Sequence, residues 1–114
     1  MSTTPTSPTQ TDRIRALNDD LRQNISHGRG HAVMTTGIAA LGAEAVARII
    51  KTIEVYDDFC HANDPHEEHD FGSFEADGHT VFFKIDLYED PNVKDSDGEP
   101  LVNRVLTIML ADEY

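Results

Sequence analysis

The strongest constraint on the fold is an Asp-Gly dipeptide between two stretches in which apolar and polar residues alternate. Asp77-Gly78 separates residues 71–76 from residues 79–88. A two-residue hairpin turn needs positive φ angles, which Asp-Gly adopts readily. The sequence therefore predicts an antiparallel hairpin in which Ala76 faces His79, and this pair sets the partner of every other strand residue.

This register sorts the side chains of the hairpin onto two faces, because successive residues of a strand point to opposite sides. One face is predicted to join the core: Phe74, Val81, Phe83, Ile85 and Leu87. The other face is more polar and carries Ser73, Glu75, Phe82, Lys84, Asp86 and Tyr88. The same alternation places His69 opposite Asp86, so a histidine, two carboxylates and an amine are expected to lie together.

This polar group supports an enzyme hypothesis. A histidine held by a carboxylate can act as an acid or a base near neutral pH. The catalytic residues of a small hydrolase would then be His69, Asp86, Glu75 and Lys84. A metal-dependent hydrolase is a variant, in which Glu68, Asp70 and Glu75 would bind a divalent cation together with His69. His66 is a further candidate ligand, although no cofactor is predicted.

The same residues have a purely structural interpretation. His69 and Asp86 would form a cross-strand pair, Asp64 would cap the turn at Pro65, and Gly72 would allow Phe83 to pack closely. A zinc site is disfavoured, because the spacing of the candidate ligands matches no standard finger. The single cysteine is expected to be a small buried apolar residue.

One motif resembles a known family. Residues 64–75 read Asp-Pro-x-x-Glu-His-Asp-Phe-Gly-x-Phe-Glu, and residues 104–111 read Arg-Val-Leu-Thr-Ile-Met-Leu-Ala. Together these segments are similar to a family of small bacterial proteins known only as a domain of unknown function. The resemblance runs from about Arg13 to Tyr114. It implies a single bacterial domain and supplies no activity.

The rest of the chain predicts a disordered tail, two helices and two more strands. Residues 1–11 are rich in Ser, Thr and Pro and form the tail, which leaves 12–114 as a single domain. A first helix, capped by Thr11 or Asp12, has apolar residues at helical spacing: Ile14, Leu17, Leu21 and Ile25. A second helix follows Gly42, runs to about Phe59 and has its own stripe: Val46, Ile49, Ile50, Ile53 and Tyr56.

The strands complete an α+β domain. Residues 31–36 are predicted as the first strand, residues 89–100 as a loop, and residues 102–110 as a central strand covered on both faces. We expect a mainly antiparallel four-stranded sheet packed by two helices. The first strand either runs parallel to a neighbour through a right-handed crossover or lies at an edge.

Composition narrows the class of protein. The chain is 39% hydrophobic, has no long apolar run and contains only Cys60 as a cysteine. These features argue against a membrane span, a signal peptide and an internal disulfide. A soluble cytoplasmic protein is expected.

Charge is the strongest functional signal. The net charge is −12, and residues 52–83 contain nine acidic residues and no Lys or Arg. The electric field of so many acidic residues repels nucleic acid and favours a protein partner with a basic surface. The simpler interpretation is an acidic surface that is only solvated. The predicted function is an acidic protein-binding domain, in its sharper form an inhibitor in the basic groove of a nucleic-acid-binding partner, of the anti-restriction or anti-CRISPR type. The expected partner-binding residues are Asp57, Asp58, Asp64, Glu67 and Glu68.

Overall fold

The fold is a four-stranded sheet with a layer of helices. The structure, a computed structural model, describes residues 9–28 and 31–114. The elements in chain order are α1 (Gln10–Gln23), a 3₁₀ turn (Ile25–His27), β1 (His31–Met34), α2 (Thr36–Ala39), α3 (Ala43–Glu54), β2 (Phe71–Ala76), β3 (His79–Lys94), β4 (Pro100–Leu110) and a last 3₁₀ turn (Ala111–Glu113). No helix in this described part of the chain is both long and apolar enough to cross a membrane.

The sheet has the strand order β1-β4-β3-β2. β1 is parallel to β4, and the other two neighbouring pairs are antiparallel. The α+β class and the four strands are thus confirmed, but the sheet is mixed, and the described residues form three helices instead of two. β1 lies at an edge of the sheet and also runs parallel to its neighbour β4.

The hairpin register is confirmed. Ala76 pairs with His79, and Gly72 pairs with Phe83. Asp77 has a φ of 51° and the following glycine a φ of 80°, as a tight two-residue turn requires.

The core lies between the helices and one face of the sheet. The sheet contributes Val81, Phe83, Ile85, Leu106 and Ile108, and the helical side contributes Leu21, Ile38, Ile49, Ile53 and Tyr56. Leu87 was predicted to join this core, but it is 58% exposed. β2 pairs with β3 only up to Lys84, so Leu87 lies where the sheet has narrowed to two strands.

Gly72 is required by the packing of two aromatic rings. A Cβ atom at this position would collide with the Phe83 ring and lie 2.9 Å from Cε1 of Tyr56. Real Cβ atoms essentially never approach another atom so closely. The predicted role of Gly72, close packing against Phe83, is confirmed.

The first helix begins earlier than predicted. Thr9 is its N-cap and accepts a hydrogen bond from the Asp12 N–H, while the Asp12 carboxylate accepts from the Thr9 N–H. This capping box gives Asp12 the third helical position instead of the cap. Residues 1–8 of the predicted tail lie outside the described residues, but Thr9 to Thr11 belong to the helix and its cap.

The second predicted helix ends earlier than expected. α3 stops at Glu54, whereas the sequence predicted a helix to about Phe59. Arg22 of α1 donates hydrogen bonds to the carbonyl oxygens of Ile53 and Tyr56, at 3.0 and 2.8 Å. A side chain from another helix therefore satisfies carbonyls at the point where α3 stops, which pattern alone does not reveal.

Residues 89–100, predicted as a loop, form most of a two-stranded arm. β3 continues to Lys94 and β4 begins at Pro100. We call residues 87–102 the arm. At its tip Asp95 Oδ1 accepts hydrogen bonds from the N–H groups of Asp97 and Glu99, at 2.9 and 3.1 Å. The acidic run at the tip thus forms a turn.

The second face of the sheet has no helical layer in the described part of the chain. We call it the uncovered face, and it carries His31, Val33, Phe71, Ser73, Glu75, Phe82, Lys84, Asp86, Tyr88, Val105, Thr107 and Met109. β4 is central, as predicted, but its uncovered face is only partly covered: Met109 is 4% exposed there. Val105 and Thr107 are only half-buried, since α1, α2 and α3 all place their buried apolar residues on the other face.

A carboxylate near the end of the chain holds the start of α2. Glu113 accepts hydrogen bonds from the Thr35 hydroxyl at 2.6 Å, the Leu110 N–H at 2.9 Å and the Gly37 N–H at 3.1 Å. The Thr35 hydroxyl, and after it the Leu110 N–H, lower the pKa of Glu113 below its usual value. We call this group the Glu113 clasp.

The register and the core can be tested by one pair of variants. Phe83→Ala should lower the free energy of unfolding by about 3–5 kcal/mol, because a fully buried ring is removed. Leu87→Ala, also on β3 but exposed, should change it by less than about 0.5 kcal/mol. Denaturant unfolding measures both, and similar losses in the two variants would contradict this register.

The Glu113 clasp predicts a pH-dependent loss of stability. The pKa of Glu113 is lower in the folded chain than its ordinary value, so the ionised carboxylate stabilises the fold at pH values above the ordinary pKa. This contribution is lost as the pH falls through the pKa of Glu113 in the folded chain. Glu113→Gln should therefore lower the thermal midpoint at neutral pH, and the deficit should shrink below pH 4.5. Thermal unfolding across this range, with Asp112→Asn as control, checks it, and a deficit independent of pH would contradict the clasp.

Candidate functional site

His69 leaves the path of the strand before β2 begins. Glu67 and His69 have φ angles of 57° and 56°, in the left-handed region that residues other than glycine seldom adopt. The alternation of side chains therefore fails here, and His69 turns to the helical side of the sheet. Its ring stacks on Phe59 with the two planes 5° apart and the centroids separated by 3.9 Å.

Two carboxylates flank the imidazole of His69. Nδ1 lies 2.8 Å from Oδ1 of Asp19, which belongs to α1. Nε2 lies 3.8 Å from Oδ2 of Asp64, beyond hydrogen-bond distance. Asp64 is only 4% exposed, and its Oδ1 accepts the N–H groups of Glu68 and His69, at 2.9 and 3.1 Å. Asp64 thus fixes the loop that carries the histidine.

Polar side chains of α1 bind the same loop through its backbone. Arg15 donates to the carbonyl oxygen of Glu67 and Asn18 to that of Glu68, each at 2.9 Å. Arg104 of β4 in turn donates to Oδ1 of Asn18 at 2.7 Å. The loop between α3 and β2 is therefore held on three sides, by α1, by the sheet and by its own Asp64.

The His69 ring and Phe59 line two adjacent clefts. The first, which we call the His69 cleft, has a volume of about 320 Å³ and is lined by Arg15, Phe59, Cys60, His61, Asp64, Glu67 and His69. The second has a volume of about 360 Å³ and includes Asp19, Arg22, Glu54 and Asp57 in its lining. Cys60 is exposed, so its predicted burial is wrong. The arrangement holds an imidazole in one orientation, with Nε2 directed away from Asp19.

The polar group predicted on the hairpin is not assembled as a single site. His69 pairs with Asp19 of α1, so its predicted pairing with Asp86 is wrong. On the uncovered face Lys84 Nζ lies 3.1 Å from Oδ2 of Asp86, and this carboxylate raises the pKa of Lys84. Glu75 accepts a hydrogen bond from the Thr80 hydroxyl at 2.6 Å. The structure therefore divides the predicted catalytic residues between the two sides of the sheet.

Residues 9–28 and 31–114 contain no set of side chains arranged as ligands for the predicted metal site. No group of three or more His, Cys, Asp or Glu side chains is arranged there to hold a metal ion. His66, one of the weak candidates, is exposed on the loop, and His69 is flanked by two carboxylates, one of them beyond hydrogen-bond distance.

The expected partner-binding acids fall into two groups. Asp57, Asp58 and Glu67 are exposed, and Glu68 is half-buried. Asp64 is buried and accepts two backbone N–H groups, so its assignment to a partner-facing surface is corrected.

Sequence reasoning missed the contribution of α1 to this site. Asn18, Asp19 and Arg22 hold the histidine and its loop, and Asn18 and Arg22 are each 3% exposed. The helical spacing could have indicated this, because Asn18 and Arg22 lie beside Leu21 on the inner side of the helix. Leu17, counted in the apolar stripe, is instead 53% exposed.

The Asp19 contact predicts the tautomer of His69. When the ring is neutral its hydrogen should lie on Nδ1, because the Asp19 carboxylate accepts a hydrogen bond there. Proton–nitrogen correlation NMR of the ring distinguishes the two tautomers. Asp19→Asn should increase the population with hydrogen on Nε2, whereas Asp86→Asn should leave it unchanged. A native ring with its hydrogen on Nε2 would contradict this assignment.

Comparison with known proteins identifies a family without a known function. No curated protein and no solved structure gives a significant match to the chain. One family model, described as a protein of unknown function (DUF3768), matches residues 34–113. The match includes the 64–75 motif and the whole Glu113 clasp but not α1. Because it covers well over half of the 114 residues, the chain belongs to the DUF3768 family of proteins of unknown function.

Proposed function

We propose that this protein is an acidic protein-binding domain that binds a basic partner on the uncovered face of its sheet. The observation that carries the proposal is the combination, on this face and the adjoining arm, of exposed apolar side chains with an excess of carboxylates. Soluble domains rarely expose a contiguous apolar patch without using it for an interaction.

An aromatic group lies at the β2 side of the uncovered face. The ring of Phe82 is 5.1 Å from that of Phe71 and 5.8 Å from that of Tyr114, both in edge-to-face geometry. Tyr114 is 76% exposed, and Tyr88, further along the same face, is 51% exposed. Tyrosines of this kind are enriched among the residues that contribute most to binding, because a large ring is buried with little loss of side-chain entropy.

The arm extends this surface beyond the four-stranded part of the sheet. It consists of β3 and β4 alone, since β2 pairs only as far as Lys84 and β1 pairs only with residues 105–108. Its exposed apolar side chains lie on both sides of the ribbon: Tyr88 and Leu101 continue the uncovered face, whereas Leu87 and Val102 lie on the helical side. An isolated two-stranded ribbon is only marginally stable in water. A partner that covers the arm would therefore stabilise it as well as bind to it.

Charge specifies the chemistry of the partner. Residues 52–114 contain seventeen acidic residues against three Lys and Arg, and the arm itself includes Glu89, Asp90, Asp95, Asp97 and Glu99. Two copies of this chain would repel each other, as would the chain and a nucleic acid, whereas a basic protein surface is attracted. The sharper form of the proposal is an inhibitor that occupies the basic groove of a nucleic-acid-binding protein, of the anti-restriction or anti-CRISPR type.

Two sets of variants distinguish residues that speed the encounter with the partner from residues that hold the bound partner. The acids of the loop, changed in Asp57→Asn, Asp58→Asn, Glu67→Gln and Glu68→Gln, should mainly slow association, because peripheral charges act on the encounter rate. Tyr88→Ala with Tyr114→Ala should mainly speed dissociation, since it removes buried aromatic contacts. Affinity capture from a lysate of the source organism, followed by kinetic measurement on the captured protein, gives both rates.

The control for the tyrosine variant is a matched pair on the helical side. Leu17→Ala with Val55→Ala removes apolar side chains that are 53% and 64% exposed, without touching the uncovered face. We expect a basic protein that is retained by the native and control chains, lost by the tyrosine variant, released by salt and displaced by added DNA. Capture that is equal for all variants, or insensitive to salt, would refute the proposal.

A further inference from the structure

We propose that the His69 cleft binds a primary alkylammonium group between Asp64 and His69. This inference concerns the helical side of the molecule and is independent of the uncovered face. The ligand group occurs both in free alkylamines and in lysine side chains.

Asp64 supplies the first acceptor. Its side chain is 4% exposed and lines the cleft, and Oδ1 already accepts two backbone N–H groups. Oδ2 has no hydrogen bond in the described residues, and Nε2 of His69 lies 3.8 Å from it. Because this oxygen belongs to a carboxylate that lines the cleft, a charged donor that enters the cleft can form a charge-assisted hydrogen bond with it.

His69 supplies the second acceptor. Asp19 accepts at Nδ1, so the neutral ring keeps its lone pair on Nε2, and His69 lines the same cleft as Asp64. One atom placed about 2.8–3.0 Å from both Nε2 and Oδ2 bridges the gap between them. Such an atom must donate two hydrogen bonds at once. An ammonium group, which has three N–H donors and a positive charge, meets both requirements.

The walls of the cleft favour a cation over an anion. The cleft contains one permanent cation, Arg15, whose Nη2 lies 2.5 Å from Asp12 Oδ1 and whose Nη1 donates to the carbonyl oxygen of Glu67. Its charge is therefore already engaged. Glu67, an acidic residue, and Phe59, an apolar one, also line the cleft.

The acceptors are held in place before any ligand arrives. The left-handed backbone at Glu67 and His69, the two N–H groups on Asp64, and the stacking on Phe59 all fix the loop. Left-handed conformations of non-glycine residues cost free energy and persist only where the surroundings determine them. A fixed site binds with less loss of entropy than one that must be ordered by its ligand.

The test uses n-butylammonium chloride and Nα-acetyl-lysine amide as probes, at about pH 8, where alkylamines are charged and imidazoles are ordinarily neutral. Binding is followed by NMR shifts of the His69 ring and of the backbone N–H groups of Glu68 and His69. Butanol is the uncharged control ligand. Stronger binding of the lysine derivative would assign the site to a side chain of a protein, and stronger binding of butylammonium would assign it to a free amine.

The key variant is Asp64→Asn. Asparagine keeps one oxygen to accept the two backbone N–H groups, but it replaces the other oxygen with an NH₂ group, which repels an ammonium donor. We expect the Kd for butylammonium to rise by at least about tenfold. If the backbone NMR shifts away from the substituted position are unchanged, the variant retains the fold. If these shifts change, His69→Phe is used as the test variant in place of Asp64→Asn.

The matched control is Asp57→Asn. It removes the same charge from an exposed position beside the neighbouring cleft and should change the Kd less than about twofold. Saturable binding that is weakened by Asp64→Asn or His69→Phe and not by Asp57→Asn supports the site. Absence of saturable binding in the native protein, equal binding of butanol, or equal losses in all three variants would overturn it.

Discussion

The packing of the helical layer depends on Arg22, a buried cation in a position where an apolar residue would be usual. Its guanidinium donates to the carbonyl oxygens of Ile53 and Tyr56 and pairs with Asp19 at 3.0 Å. It also lies over the ring of Phe59, with 5.3 Å between its central carbon and the ring centroid. Removing one partner from such an arrangement leaves a buried charge without compensation, which is far more costly than losing a surface ion pair. One side chain therefore helps to determine where α3 ends, where α1 lies and how Asp19 supports His69.

The parts of the fold that sequence reasoning predicted were those governed by short-range rules. The Asp77-Gly78 turn fixes a register by itself, so the pairs from Ala76 with His79 to Gly72 with Phe83 followed directly. α1 and α3 were located from their apolar spacing, although their ends were displaced, whereas the short α2 was not predicted. Their ends depend on contacts that are distant in sequence, such as Arg22 with the last carbonyls of α3.

The candidate site was predicted only in part, and for a physical reason. The sequence identified His69 as a residue of interest, but it assumed that the strand continued through this position. The left-handed φ angles at Glu67 and His69 interrupt the alternation and turn the ring towards α1. Asp19 then becomes its partner from 50 residues away, and no local pattern connects the two. By contrast, the hairpin residues Lys84 and Asp86 stayed where the register placed them, on the uncovered face.

The open edges of the arm have a consequence for aggregation. Unpaired strand edges with exposed apolar side chains are templates on which a second chain can add a strand. Here the edges carry Glu89, Asp90, Pro91 and Pro100, and charges and prolines of this kind are the usual obstacles to such pairing. Because most of this protection is electrostatic, it weakens when carboxylates are protonated or when salt screens them. Acidic pH and high ionic strength are thus the conditions under which this chain is most prone to associate with itself through its strands.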